Sequence, residues 1–324
     1  MRAREEGIRS EEMAETAEGR LYPGAEQARS RRRSPARALV AILRPRQWVK
    51  NTVLFAALVF SHSLTETDHA VRSLAAFALF CALSSAVYIL NDMMDLENDR
   101  AHPTKSRRPL AAGEVPLGAA GAAGAALAIG GLLLSYRLSP AFAALAAIYL
   151  ILNILYSAWL KNVVIVDVMV IASGFVIRAV SGGVVIGVEV SAWLILCTIL
   201  LSLFLGFTKR RQELAQLEGQ AVTSRAILKE YSVAFLDQMI SIVTAATVVA
   251  YFLYTLSPDT RSKLGTPYLP LTIPFVLYGI FRYLYLVHQR NMGENPTGAL
   301  YADRPLFLNV VLWVVTAVVI LYLR

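Results

Sequence analysis

Nine stretches of the chain are apolar and about as long as the helix that crosses a lipid bilayer, which needs about twenty residues. The chain has 324 residues, of which 56% are hydrophobic and only 17% are charged. An ordinary soluble domain is excluded, and we predict an all-α polytopic membrane protein with about nine transmembrane helices. The predicted spans cover about residues 48–64, 72–91, 115–135, 140–159, 163–186, 191–208, 237–256, 267–287 and 305–323.

Residues 1–40 differ from the rest because they contain no apolar run and are rich in Glu, Arg, Ala and Ser. We predict a disordered, basic cytosolic tail there, followed by a membrane domain over residues 41–324. A secretory signal peptide would need an apolar core in this region. The tail's arginines either contact anionic headgroups or only set the topology: Arg31, Arg32, Arg33 and Arg37.

Charge and cysteine usage limit the partners and the orientation. The two cysteines fall inside predicted spans and the four histidines are scattered, so neither a disulfide framework nor a histidine metal site is expected. Most loop bases fall on the side of the N-terminus, which predicts a cytosolic N-terminus and an outer C-terminus in the inner (plasma) membrane. Membrane lipids are expected partners, and nucleic acid is not.

The segment NDMMDLENDRAHPTKSRRPLAAG (Asn91–Gly113) places charge directly at the end of the second span. Asp92, Asp95 and Asp99 are spaced to share one face of a helix, where they repel one another unless a cation binds. Carboxylate oxygens together with substrate phosphates suit Mg²⁺, and the following bases could hold phosphate oxygens. This pattern predicts a Mg²⁺–diphosphate site; the alternative is a solvated loop with local ion pairs.

Other charged residues fall at the same predicted membrane face or inside the fifth span. Each group has a structural alternative: flanking bases that set topology or anchor a helix end, or intramembrane charges that pair only to hold helices together. These candidates are Arg44, Arg46, Lys50, Tyr156, Lys161, Asp167, Arg178, Lys209, Arg210, Arg211 and Glu213.

NDMMDLENDR resembles the first aspartate-rich motif, NDxxDxxxD, of the UbiA-type intramembrane prenyltransferase superfamily. The resemblance covers residues 45–324, and that family also has nine spans with the motif after the second. RPRQWVKN, HPTKSRRPL, YSAWLKN, DVMVIASGFVIRAVSGG and GFTKRRQEL are similar to its decaprenyl-phosphate phosphoribosyltransferase branch. The loop TKRRQEL lacks the second acidic motif of members that use prenyl diphosphates.

This resemblance implies a UbiA-like helical bundle with its active site at the cytosolic face. It implies Mg²⁺-dependent transfer of the phosphoribosyl group from 5-phosphoribosyl 1-diphosphate (PRPP) to a polyprenyl (decaprenyl) monophosphate. Diphosphate is released, and the product is the lipid-linked pentose precursor of cell-wall arabinan. We also expect a homo-oligomer, with a trimer as the candidate assembly.

Site roles are transferred from the family residue by residue. Asp92, Asp95 and Asp167 are the predicted catalytic residues, and the metal ligands are Asp92, Asp95 and Asp99. The predicted PRPP ligands are Asn91, Asp99, Lys105, Arg108, Tyr156 and Lys161. The predicted lipid-phosphate ligands are Arg46, Lys50, Lys209 and Arg210.

Two other functions remain open at this point. A prenyltransferase that moves an isoprenyl group to an aromatic acceptor would need metal sites for a prenyl diphosphate, and the missing second acidic motif disfavours it. A transporter for an anionic solute would place charge near the bilayer midplane, whereas most charge here lies at one face. The sequence leaves open the prenyl chain length and whether Glu97 or Glu213 binds metal. It also leaves open which of the basic residues hold the donor phosphate and which hold the acceptor phosphate.

Overall fold

The structure is a computed structural model that describes residues 33–102, 104–217, 226–293 and 295–322, and all regular secondary structure in these ranges is helical. The α-helices are α1 (Pro35–Ile42), α2 (Phe55–Phe60), α3 (Thr67–Met94), α4 (Leu96–Ala101), α5 (Leu117–Leu138), α6 (Pro140–Ala158), α7 (Val166–Ile186), α8 (Ala192–Leu217), α9 (Val233–Leu256), α10 (Pro258–Leu264), α11 (Ile273–Arg290), α12 (Pro296–Ala302) and α13 (Arg304–Tyr322). Short 3-10 helices cover Pro45–Leu54, Lys105–Arg107, Leu160–Asn162, Ala226–Glu230 and Leu269–Thr272.

Within the described ranges, eight helices are long and apolar enough to cross a membrane. They are α3, α5, α6, α7, α8, α9, α11 with the 3-10 turn before it, and α13. Each coincides with one of the predicted spans after the first. The predicted all-α polytopic fold is therefore confirmed.

The first predicted span, at residues 48–64, takes a different form. It consists of the ten-residue 3-10 helix Pro45–Leu54, continued by the six residues of α2. A 3-10 helix rises about 2.0 Å per residue and an α-helix about 1.5 Å, so the two pieces extend about 29 Å. That length is close to a hydrocarbon thickness of about 30 Å, and the ninth crossing stays a prediction.

Two hydrophobic clusters build the bundle. The first joins the 3-10 segment, α2, α3, α6 and the far end of α7, with Phe80 and Phe142 fully buried. The second joins α8, α9 and α11 to Val168 at the start of α7. Because α7 belongs to both clusters, its side chains lie between the two halves of the molecule.

Large apolar side chains cover the outside of the spans. On α5, Leu133 is 65% exposed, Leu134 60% and Tyr136 63%. In a soluble protein such a surface would aggregate, whereas hydrocarbon chains solvate it without cost. The polar residues of the site therefore concentrate at the helix ends and between the halves.

The predicted tail lies outside the described residues up to residue 32. Helix α1 begins at Pro35 and buries Ala38 and Ile42 against a cluster that includes Ile89 and Leu110. Arg33 donates to Glu114 at 2.8 Å. The predicted domain boundary at residue 41 falls inside this packed helix.

Candidate active site

The aspartate-rich segment lies where α3 ends and α4 begins. Asn91 and Asp92 occupy the last turn of α3, Asp95 joins the two helices, and Asp99 lies in α4. Asp92 and Asp99 are each 4% exposed. Carboxylates at a helix C-terminus face the negative end of the helix dipole, so this arrangement requires cations nearby.

Three bases from separate segments supply that charge. Asp92 accepts from Arg44 and, at 3.0 Å, from Arg108. The same Arg108 nitrogen donates to Asp99, so one guanidinium bridges two carboxylates. Lys161 donates to Asp95 at 2.6 Å. The three carboxylates and three bases sum to zero charge.

Backbone strain accompanies one of these contacts. Arg44, between α1 and the 3-10 segment, has φ 53° and ψ 57°, a left-handed conformation that is uncommon outside glycine. Its side chain reaches Asp92 and also lies 5.2 Å from the centre of the Tyr88 ring. Strained residues of this kind concentrate at functional sites.

A second cluster surrounds Asp167, at the start of α7. Asp167 and Arg210 are both 0% exposed and form an ion pair. Arg210 also donates to Glu213 and, at 3.0 Å, to Tyr156. Because each of its nitrogens has an acceptor and none faces solvent, Arg210 orients Asp167 and Tyr156 in this structure. The geometry gives no support to its predicted contact with a lipid phosphate.

Tyr231 completes this cluster. Its hydroxyl donates to Asp167 at 2.9 Å and accepts from the backbone N–H of Ile165 at 2.6 Å. Ile165 has φ 68°, which is unfavourable for a β-branched residue, so its conformation needs this support. Burial raises the pKa of the Tyr231 phenol to about 12, and the hydroxyl stays protonated at neutral pH.

The two clusters adjoin along α6. Ser157 donates to Asn91 at 3.3 Å, and its neighbour Tyr156 accepts from Arg210. The end of α6 and the turn after it thus contact both clusters, because Lys161 reaches Asp95. The structure brings together nine of the predicted site residues: Asn91, Asp92, Asp95, Asp99, Arg108, Tyr156, Lys161, Asp167 and Arg210.

The remaining predicted residues lie at different depths around this group. Lys105 is half-buried in the 3-10 turn after α4, and Lys209 lies 3.7 Å from Glu213. Arg46 is exposed, and Lys50 is half-buried in the 3-10 segment. Lys50 lies close enough to Arg44 and Arg178 for electrostatic interaction with both.

Sequence reasoning assigned no role to several residues that hold the site. Arg44, Ser157 and Tyr231 contact predicted site residues directly. Arg44 lies in the segment RPRQWVKN, whose bases were already candidates, so its charge was a usable signal. Nothing in the local sequence marks Ser157 or Tyr231, because each contacts a partner more than sixty residues away.

The carboxylates of the aspartate-rich segment are chemically suited to bind a divalent cation. Their oxygens are the ligands that Mg²⁺ prefers, and in this structure a cationic nitrogen already bridges Asp92 and Asp99. Among the side chains that the structure describes, no three of Asp, Glu, His or Cys are grouped as a metal site. A metal held by all three aspartates stays a prediction that requires Arg108 and Lys161 to move.

Residues 52–311 match the UbiA prenyltransferase family. The chain is 35% identical to a decaprenyl-phosphate phosphoribosyltransferase of Mycolicibacterium smegmatis, across 86% of this chain and 90% of that protein. It is 32% identical to the protein of that name from Corynebacterium glutamicum, across 89% of this chain and 88% of that one.

Solved structures support the same fold. A UbiA homologue from Archaeoglobus fulgidus, bound to GPP and Mg²⁺, superposes with a TM-score of 0.65 at 18% identity, covering 88% of this chain and 99% of that one. The predicted bundle and its membrane-embedded character are thereby confirmed, and the protein is a multi-pass membrane protein. The chain belongs to the UbiA prenyltransferase family, and within it the chain groups with the decaprenyl-phosphate phosphoribosyltransferases.

Proposed function

We propose that this protein transfers the 5-phosphoribosyl group of PRPP to a polyprenyl (decaprenyl) monophosphate and releases diphosphate. The names of its curated relatives support this transfer. The assignment of the site rests on one observation: the carboxylates at the α3–α4 junction are each paired with a base. Such an array can exchange internal ion pairs for a metal and for substrate phosphates at little net change in charge.

The reaction is a displacement at the anomeric carbon of the ribose. An oxygen of the lipid phosphate forms a bond to that carbon, and the bond to the diphosphate oxygen breaks with its electron pair leaving on diphosphate. The nucleophile is already an anion, so no strong general base is required. The protein must therefore position two anions and neutralise the leaving group.

The aspartates would hold the divalent ion: Asp92, Asp95 and Asp99. When bound, Mg²⁺ supplies positive charge to the leaving diphosphate. Arg108 and Lys161, released from their carboxylates, would donate to donor phosphates together with Lys105 and Asn91. Arg can do so bidentately, and Lys acts as a point charge.

Asp167 would act on the ribose of the donor rather than on its diphosphate. Arg210 and Tyr231 bind its two oxygens and fix its position, and Tyr156 accepts from the same guanidinium. A fixed carboxylate there can accept from ribose hydroxyls or stabilise the positive charge that develops on the ring. Arg46, Lys50 and Lys209 remain the proposed ligands of the lipid phosphate.

Location and assembly belong to the same proposal. We place the protein in the plasma membrane with its N-terminus and active site at the cytosolic face, where a water-soluble donor is made. The basic loops of the sequence support this orientation. We further propose a homotrimer; the mass of the detergent-solubilised protein, measured by light scattering, tests it.

The test of the function uses the full chain purified in detergent. Labelled PRPP and polyprenyl phosphate are supplied with Mg²⁺ or with EDTA, and the lipid is examined for a mass gain of one phosphoribosyl unit. We expect labelling only with Mg²⁺, and a loss of at least about a hundredfold in Asp92→Asn and Asp95→Asn. The matched control is Asp259→Asn, an exposed substitution in α10, at the end of the bundle opposite the aspartate-rich segment.

No labelling by folded wild-type protein would overturn the phosphoribosyl assignment. The same preparation would then be given a labelled prenyl diphosphate and an aromatic acid. Product from that pair would favour the aromatic prenyltransferase.

A further inference from the structure

A groove runs along the outer surface of the bundle between α9 and α11, outside the two charged clusters. Its volume is about 640 Å³, which is within the usual range of ligand sites in proteins. Phe281 is 57% exposed and Val249 55%, so the groove opens toward the bilayer rather than into the bundle. Apolar side chains form most of its wall: Ile240, Ala245, Val248, Val249, Phe281 and Leu284.

Charged side chains line this groove at one end. Asp237, at the start of α9, faces His288, in the last turn of α11, with His288 Nε2 3.4 Å from Asp237 Oδ1. Arg211 of α8 donates to the same oxygen at 2.5 Å. The side chains of Asp237 and His288 are 39% and 34% exposed, so both can still contact a bound molecule. Because Arg211 follows Arg210, this is the end of the bundle that carries the charged clusters.

The length of the groove matches one leaflet of a bilayer. Between Asp237 and Val249, α9 rises about 18 Å. Half of the hydrocarbon core of a bilayer is about 15 Å thick. An acyl chain whose headgroup lies beside Asp237 would therefore follow the groove to the bilayer midplane. A decaprenyl chain is much longer than one leaflet is thick, so the groove does not fit the tail of the proposed acceptor.

The charges at the polar end select the kind of headgroup. An anionic headgroup would be repelled by Asp237, and a purely cationic one by Arg211. A zwitterionic headgroup finds a partner for each of its charges, because its phosphate can accept from Arg211 or His288 and its ammonium can donate to Asp237. We propose that the groove binds a phosphatidylethanolamine molecule of the adjacent leaflet, with its headgroup on Asp237 and His288 and an acyl chain between α9 and α11.

This lipid is distinct from the lipid substrate. It lies on the outer face of α9 and α11, whereas the aspartate-rich segment joins α3 and α4. Its headgroup would connect the ends of three helices, since Arg211, Asp237 and His288 belong to α8, α9 and α11. The expected effect is stabilisation of the fold, because a molecule that binds the folded state alone shifts unfolding by mass action. The inference does not depend on the proposed transfer reaction.

The experiment uses the full chain, delipidated in detergent and then given one of three phospholipids with identical acyl chains. Native mass spectra report how many lipid molecules are retained, and thermal unfolding reports the stabilisation. Phosphatidylethanolamine should raise the melting temperature at least about twofold more than phosphatidylcholine, whose quaternary ammonium has no N–H to donate to Asp237. Phosphatidylglycerol, which is anionic, should give the smallest shift.

Two substitutions test the two ends of the groove separately. Ala245→Trp fills the apolar part at an exposed position, and should reduce the phosphatidylethanolamine-induced shift at least about threefold while leaving the lipid-free melting temperature unchanged. Asp237→Asn removes the acceptor for the ammonium, so phosphatidylethanolamine and phosphatidylcholine should then stabilise equally. Ala126→Trp, an equal change in size on the exposed face of α5, is the matched control and should retain the full shift.

Several results would overturn this proposal. A larger shift with phosphatidylglycerol would contradict the headgroup assignment, and equal shifts in Ala245→Trp and Ala126→Trp would place the lipid outside the groove. Displacement of bound phosphatidylethanolamine by polyprenyl phosphate would make the groove a path for the substrate tail. A smaller particle mass for Ala245→Trp, measured by light scattering, would make it a contact between copies of the chain. None of these readouts uses PRPP, so failure of the transfer assay would leave the lipid site standing.

Discussion

At the scale of single residues, the site depends on hydrogen bonds that fix charged groups before substrate arrives. Asp167 accepts from Arg210 and Tyr231, and neither oxygen is exposed to solvent. Tyr231 has a double task, because its hydroxyl also holds the strained backbone of Ile165. A single hydroxyl thus sets both the position of Asp167 and the turn that precedes it.

Tyr231→Phe tests this double task. The substitution leaves the Ile165 N–H without its acceptor and removes one donor from Asp167, so we expect a loss of about 1–3 kcal/mol in the free energy of unfolding. Because the phenol's pKa is about 12, the effect should be independent of pH from 6 to 9. Phosphoribosyl transfer should fall together with stability, and both are measured on detergent-purified protein.

Tyr254→Phe is the matched control. Its hydroxyl makes no hydrogen bond to a described residue, although its ring packs edge-on against Phe60 at 6.4 Å. The control should stay within about 0.5 kcal/mol of wild type. Equal losses in the two variants would show that the Tyr231 hydroxyl has no special role.

Sequence reasoning reached the charged residues of this site but not their pairing. Asp167 stood out because a carboxylate in an apolar segment is costly, and Asp92 because of its spacing from Asp95 and Asp99. Their partners could not be assigned, since Arg44 lies 48 residues from Asp92 and Arg210 lies 43 from Asp167. Such contacts depend on helix packing, which periodicity does not report.

At the scale of elements, the 3-10 segment Pro45–Leu54 and helix α7 approach each other closely at one glycine. A Cβ at Gly182 of α7 would lie 2.0 Å from the Leu54 carbonyl oxygen, at the end of the 3-10 segment. Only glycine allows this contact between the segment that carries Lys50 and the helix that carries Arg178. The absence of a side chain is therefore a condition for the close approach of the 3-10 segment to α7.

Gly182→Ala should force the 3-10 segment away from α7. Overpacking against backbone costs about 1–3 kcal/mol or more, and we expect a lower melting temperature with reduced transfer. Gly130→Ala, in α5 with nothing within 4 Å of the added carbon, should be neutral or stabilising by up to about 1 kcal/mol. A Gly182→Ala protein as stable and active as the Gly130→Ala protein would contradict the close approach.

The length of the first crossing is also an element-scale property. Apolar composition predicted a span at residues 48–64, but Pro45 and the bases around it begin a 3-10 helix ten residues long. A 3-10 helix rises more per residue than an α-helix, so the same number of residues extends farther. Hydropathy gives no information about helix type, and a crossing by this segment stays a prediction.

At the scale of the whole molecule, the groups of the two charged clusters lie at one end of the bundle. Helix α10 and the turn before α3 are at the opposite end, where Arg72 pairs locally with Asp68 at 2.7 Å. A reaction at the cytosolic end would take a soluble anion from one side only and a lipid from within the membrane. The orientation, which the sequence predicts from its basic loops, is thus part of the mechanism.

Sealed vesicles of opposite orientation test this arrangement. PRPP carries several negative charges and does not cross a bilayer, so vesicles with the cytosolic face outward should label polyprenyl phosphate without permeabilisation. Vesicles of the opposite orientation should be at least about tenfold less active until a pore is introduced. Lys263→Cys, on exposed α10, should react with an impermeant thiol reagent only in that second type. Activity in intact vesicles from the face that exposes residue 263 would place the site on the outer side and reverse the orientation.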